Sequence, residues 1–150
     1  MKKILFISLL AFLSRISNAQ DVIENDSLFI KTRDKFLLGI KQKYLPALDE
    51  TVDDSITMIF PDGEIMYTKE KFLEFNEAWF KKKWEIISEV ISTTGENNIA
   101  YSLVRYHYYR VNPDGTDKPV SNIYQLLIFK KRKNKWTLLH NQHTRIYNKL

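Results

Sequence analysis

From Trp84 onward the apolar residues recur with a period of two, and this limits the fold more than any other feature of the chain. Four long β-prone runs follow one another: Glu85 to Thr94, Ile99 to Val111, Val120 to Lys131 and Lys135 to Tyr147. The segments between them are Gly95-Glu96-Asn97-Asn98, Asn112 to Asp117, and Arg132-Lys133-Asn134, all short and rich in turn formers. Strands joined so closely pair as antiparallel neighbours, because a parallel return needs a crossover of about a dozen residues or more. The second half of the chain therefore reads as an antiparallel meander.

The first half follows a different period. Between Asp26 and Tyr44 the apolar residues Phe29, Phe36, Leu37, Ile40 and Tyr44 fall on one helical face. Asn25 or Asp26 suits the N-cap, where a short side-chain oxygen accepts from the free donors of the first turn. Pro46 ends or kinks this helix, and a short helical turn through Ala47 to Asp49 follows. Ser55 to Phe60 and Ile65 to Tyr67 flank Pro61-Asp62-Gly63-Glu64, which predicts a hairpin or a tight bend. Thr68 then caps a helix from Lys69 to about Lys82, whose Phe72, Phe75, Trp79 and Phe80 share one face. That stripe reads as core packing, not as an aromatic binding box.

The N-terminus sets the compartment. Lys2 and Lys3 precede an apolar run from Ile4 to Leu13, and Ser17-Asn18-Ala19 places small residues three and one before a cut. This is the pattern of a cleavable signal peptide over residues 1–19, with residues 20–150 forming one exported domain, periplasmic or secreted. The alternative is an uncleaved N-terminal anchor, but the run falls short of the ~20 apolar residues that span a bilayer. With no cysteine there is no acylation site, no thiolate metal site and no disulfide. The chain carries 23 basic and 18 acidic residues, a net of +5. Lys2, Lys3 and Arg15 leave with the leader and no acid does, so the mature balance is 20 against 18, about +2. A nucleic-acid partner would need a clustered basic face, and none is expected. Nor is membrane association expected once the leader is removed.

Three stretches carry a resemblance to a known family. They are Ile56-Thr57-Met58-Ile59-Phe60-Pro61-Asp62-Gly63 with the helix after it, Ala100-Tyr101 leading into a strand with Arg105, and Trp136-Thr137-Leu138-Leu139-His140-Asn141-Gln142-His143-Thr144. With the element order, they resemble the nuclear transport factor 2-like superfamily, including its SnoaL-like and ketosteroid isomerase-like members. The last stretch is similar to the closing strand of the calmodulin-dependent kinase association domain. There, Trp is followed at offsets of four, six and eight by His, His and Ser; here the positions hold His140, Gln142 and Thr144, so the second departs. The resemblance implies an α+β fold, a cone-shaped and strongly curved antiparallel sheet with three helices from the N-terminal half packed on its concave face.

Alternation along the strands selects candidate site residues on that face. Even positions of the last strand are Trp136, Leu138, His140, Gln142 and Thr144; odd positions of the Ile99 strand are Tyr101, Leu103, Arg105, His107 and Tyr109. With Ile123, Gln125, Leu127 and Phe129, they would bring Tyr101, Arg105, Gln125, His140, Gln142 and Thr144 together in an apolar hollow suited to a small molecule. The opposite face would carry Tyr106, Tyr108, Tyr124, Leu126, Ile128 and Leu139, too apolar to meet water alone. The resemblance implies a second copy as its cover, and a homodimer is expected.

His140 suits acid–base work, with an ordinary pKa near 6.5, and equally suits a buried structural role. Arg105 needs an anion, either a ligand carboxylate or a structural Asp or Glu, for example from the first helix. No metal site is expected: His140 and His143 have opposite parity, and His107 is the only other histidine. No cofactor is expected. Asp49, Asp53 and Asp54 read as loop and cap residues rather than as the carboxylate base of ketosteroid isomerase chemistry. Three readings stand. The first is an exported, non-catalytic binder of a small hydrophobic or carboxylate-bearing ligand. The second is an isomerase, cyclase or hydrolase using His140, with Arg105 orienting an anionic substrate. The third is an interaction module with its hollow filled by its own side chains.

Overall fold

The computed structural model describes residues 26–111 and 117–145. The leader, Asn25, the turn residues 112–116 and the expected last strand beyond Arg145 lie outside the described residues. Three helices and six strands follow in order: α1 (Ser27–Gln42), α2 (Leu45–Thr51), β1 (Val52–Ile59), β2 (Ile65–Tyr67), α3 (Lys69–Phe80), β3 (Trp84–Glu96), β4 (Ile99–Val111), β5 (Asp117–Arg132) and β6 (Lys135–Arg145).

Asp26 is the cap of α1, and its carboxylate does more than cap. Oδ1 accepts from the backbone N–H groups of Leu28 and Phe29, both at 3.0 Å. Oδ2 accepts from Lys131 Nζ at 2.9 Å and from the Trp136 indole at 3.1 Å, pinning the helix start to the β5–β6 hairpin. Phe29 then packs edge-on against Phe129 and Trp136. All three rings are buried, each contributing roughly 2–3 kcal/mol of transfer free energy. The helix closes before Pro46 does anything: Lys43 takes a left-handed conformation (φ 57°) and Tyr44 N–H reaches back to Gly39 O. Pro46 instead occupies the first turn of α2, where its missing N–H costs nothing. Gly39 lets the two helices meet closely, since a Cβ there would lie 2.6 Å from Leu48 Cδ1.

The hairpin between β1 and β2 forms as expected, with Gly63 at φ 90° and Asp62 accepting from Glu64 N–H. The sheet order is β2-β1-β6-β5-β4-β3. The meander β3 to β6 is antiparallel throughout, but β1 runs parallel to β6. The expected antiparallel curved sheet forms in β3 to β6 and in the β1–β2 pair, and the β1–β6 pair makes the whole sheet mixed. No short turn joins β1 to β6, so nothing local dictates their direction. Asp53 helps bind this seam: it accepts from Thr137 at 2.9 Å and from Ser55, and Arg132 lies 3.3 Å away.

The helices cover one face of the sheet, and burial shows which residues meet them. On β4 these are the even positions Ala100, Ser102, Val104, Tyr106 and Tyr108. On β5 they are the odd positions Gln125, Leu127 and Phe129. On β6 the inward parity changes partway along. Phe129 faces Leu138 but Ile128 faces His140, so Leu139 is an extra residue in the ladder. This bulge leaves Trp136 and Leu138 inward and brings Asn141 inward after it. A one-residue slip sends every later side chain to the other face.

Candidate functional site: a hollow between the third helix and the sheet

A cavity of about 230 Å³ opens between α3 and the inner face of the sheet. Its wall on the helix side is Phe72, Phe75, Asn76 and Trp79, successive positions on the inner face of α3. The aromatic stripe expected only to fill the core therefore also lines a space. Ile40, Met58 and Phe60 close one side, and Trp84, Tyr108 and Ile123 another. The rings hold one another in place. Trp79 stands edge-on to Tyr108 at 5.4 Å, and Phe60 edge-on to Phe75 at 4.9 Å.

Against this apolar lining stand a few polar groups from β5 and β6. Gln125, Asn141 and His143 line the hollow, with Ser121 and Arg145 toward its solvent-exposed end. Asn141 Oδ1 and His143 Nε2 are buried and have no hydrogen-bond partner among the described residues. Burial pulls the His143 imidazole down to about 4, so the ring is neutral at ordinary pH. Phe60 packs edge-on against it. Burial pushes the Tyr108 phenol well above its usual range, although a hydrogen bond with Gln125 works the other way. Asn76 donates to Phe72 O at 2.8 Å within its own helix. Among the described residues no Asp or Glu lines the hollow, and no group of three or more His, Cys, Asp or Glu is placed to hold a metal ion.

Of the six residues selected from the sequence, only Gln125 is in the hollow. Tyr101, Arg105, His140, Gln142 and Thr144 lie together on the opposite, outer face. Two features of the sheet explain this. On β4 both faces carry apolar residues, and pairing with β5 turns the even set inward: Ala100 lies opposite Phe129, Ser102 opposite Leu127 and Val104 opposite Gln125. On β6 the Leu139 bulge turns His140, Gln142 and Thr144 outward, opposite Ile128, Leu126 and Tyr124. By the same correction, Tyr106 and Tyr108, expected on the outer face, are buried on the inner one. Arg105 is satisfied by neighbours on its own face. It donates to Tyr124 Oη at 2.9 Å and to Glu89 at 3.2 Å, so its anion comes from β3 and not from the first helix or the hollow. His107 shares a 2.8 Å hydrogen bond with Asn122, and His140 is half-buried, its pKa lowered by burial.

Asn141 and His143 were missed because they sit at positions that strict alternation assigns to the outer face. The signal available was a strand whose two parities both carry polar side chains beyond Leu139.

Neither a family model nor a curated protein matches the chain. Solved structures do match. A ketosteroid isomerase-like protein from Erwinia carotovora superposes with a TM-score of 0.68 at 15% identity, covering 83% of this chain and 99% of that one. A nuclear transport factor 2 (NTF2-like) superfamily protein from Salmonella enterica superposes at 0.64 with 14% identity, over 79% and 88% of the two chains. A bacterial protein from Thiobacillus denitrificans, assigned as a calcium/calmodulin-dependent protein kinase II association domain, superposes at 0.65 with 12% identity, over 77% and 93%. Identities this low speak to architecture and not to activity. The chain has the nuclear transport factor 2-like fold, three helices packed on one face of a curved six-stranded sheet.

Proposed function

We propose that this protein is an exported, non-catalytic domain that holds a small, largely apolar molecule in the hollow between α3 and the sheet. The observation that carries the reading is the hollow itself: about 230 Å³, walled by aromatic rings, with polar atoms of Asn141 and His143 in its lining that have no partner among the described residues. Apolar walls with a few placed polar groups are the usual form of a small-molecule site. The carboxylate-bearing ligand considered from the sequence depended on Arg105, which faces away from the hollow and is paired with Glu89. The enzymatic alternative depended on His140, which shares that outer face.

Trp79 and Trp84 line the hollow and report on its occupancy. Titrating a small bicyclic hydrocarbon such as indane into the mature protein is expected to change their fluorescence to saturation. Phe75→Trp, which narrows the space, is expected to abolish the change. A signal that never saturates, or one the narrowing leaves untouched, rules the reading out. Export is tested separately, by whether the protein recovered from its host begins at Gln20.

We also propose that the outer face pairs with a second copy of the chain. Ile87 and Tyr101 are each more than 40% exposed, and Leu103, Leu126 and Ile128 share their face. The charges of Arg105 and Glu89 neutralise each other within that face, which suits it to meet its own copy. Sedimentation should give a dimer for the wild type and a monomer for Leu126→Glu; a wild-type monomer at micromolar concentration refutes the pairing.

A further inference from the structure

We infer that the hollow selects an uncharged, flat, apolar molecule carrying a hydroxyl at its buried end, a phenol or ring alcohol, over both the bare hydrocarbon and the matching carboxylate. This deepens the binding reading above and rests on it.

Size limits the body of the ligand. A sealed apolar cavity of ~150 Å³ holds benzene, so about 230 Å³ suits one or two fused rings. The walls offer ring faces and edges at Phe75, Trp79 and Tyr108, which favours a flat body over a branched chain.

The two unpaired atoms limit its polar end. Asn141 Oδ1 is a carbonyl oxygen and can only accept. A buried acceptor without a donor is unfavourable until one arrives, so a ligand that brings an O–H gains what water lost when the site was covered. His143 Nε2 is also unpaired, and its ring is neutral because burial disfavours the charged form. The nitrogen of a neutral imidazole accepts in one tautomer and donates in the other. A hydroxyl has one proton and two lone pairs, so it donates to Asn141 Oδ1 and accepts from His143 in the tautomer whose Nε2 carries the hydrogen. Asn141 and His143 are two positions apart on β6, on one face, so both can address one end of a ligand.

A carboxylate has no proton for Asn141 Oδ1. Among the described residues the fixed positive charge in the lining is Arg145, which is exposed to solvent. A carboxylate driven inward would leave water for a neutral imidazole and an amide oxygen, and burying an unpaired charge is strongly disfavoured.

The test uses the mature protein at pH 7 with three probes of one skeleton: indane, indane hydroxylated on its aromatic ring, and the corresponding ring carboxylate. Calorimetric titration should show the hydroxyl compound binding about tenfold or more tighter than indane, with the carboxylate no tighter than indane. Asn141→Leu should bring the hydroxyl-to-hydrocarbon ratio close to one while indane still binds. His143→Phe, which keeps a ring of similar size, should reduce the ratio in part. If indane and its hydroxyl derivative bind equally to the wild type, or the carboxylate binds tightest, the inference fails and the binding reading survives. If none of the three binds, the binding reading itself fails and takes the inference with it.

Discussion

Acid should weaken this protein in a pH window set by one buried ring. Burial lowers the His143 imidazole from its ordinary 6.5 to about 4. Between those values the unfolded chain holds a proton there and the folded chain does not, so stability falls as pH falls. Below about 4 the folded form takes the proton too, and the loss levels off. At about 1.4 kcal/mol per tenfold, the full effect is roughly 3 kcal/mol, with about 2.5 kcal/mol already lost by pH ~4.5. The paired carboxylates act in a lower window. Burial works to raise Asp26 and Asp53, but their hydrogen bonds and the nearby Lys131 and Arg132 outweigh it and hold both below the usual 3.8. Their contribution is therefore kept until the pH falls beneath the ordinary carboxylate range. His140 is shifted downward by burial as well and adds to the loss in the same direction, so the variant must isolate His143. Urea unfolding of the wild type and His143→Phe at several pH values from about 7 to 4.5 gives the comparison. The wild type should lose roughly 2–3 kcal/mol across the range and the variant much less. Parallel curves for the two proteins would refute a neutral, covered imidazole at this position.

Asp26→Ala should cost about 2–3 kcal/mol in urea unfolding, because it removes a helix cap and leaves the buried Trp136 indole N–H without an acceptor. Asp26→Asn should cost about 1–2 kcal/mol, since an amide can still cap α1 but turns a donor toward Trp136 and Lys131. Gly39→Ala should lower stability by about 1–2 kcal/mol despite alanine's better helix propensity, as its Cβ would meet Leu48 Cδ1 at 2.6 Å and Ala47 Cβ at 2.9 Å; a raised unfolding midpoint would contradict the tight α1–α2 contact. The double variant Arg105→Ala/His140→Ala should leave affinity for indane within about twofold, because both side chains lie on the sheet face away from the hollow; a tenfold loss on calorimetric titration would return them to the site.

The architecture was legible because it is written in local signals. Asp26 and Thr68 mark helix starts, Pro61-Asp62-Gly63 marks a hairpin, and the short turns after Glu96 and Arg132 force neighbouring strands to pair. The direction of β1 against β6 has no such signal, and there expectation and structure part. Which face of β4 turns inward is equally hidden. Tyr101 and Leu103 on one side are no less apolar than Tyr106 and Tyr108 on the other, so hydrophobicity alone cannot choose. The choice is made across the sheet, where the small buried side chains of Ala100 and Ser102 lie opposite the large ones of Phe129 and Leu127 on the face the helices cover. That is a property of pairing and packing, not of one strand read by itself.

The extra residue at Leu139 decides the chemistry of the hollow. Without the bulge, the inward sequence after Trp136 and Leu138 would continue with His140, Gln142 and Thr144. With it, Asn141, His143 and Arg145 are the inward set, and His140 pairs across to Ile128 on the outer face. Both sets contain a histidine and an amide, so composition does not distinguish them. Their surroundings do. His143 is enclosed by Phe60 and the aromatic wall of α3, which removes its charge and leaves it a neutral hydrogen-bonding partner. Bulges that re-aim side chains next to a binding site are a recurrent device of curved sheets, because the same extra residue both bends the strand and shifts its parity. Here one leucine sets which imidazole meets the cavity.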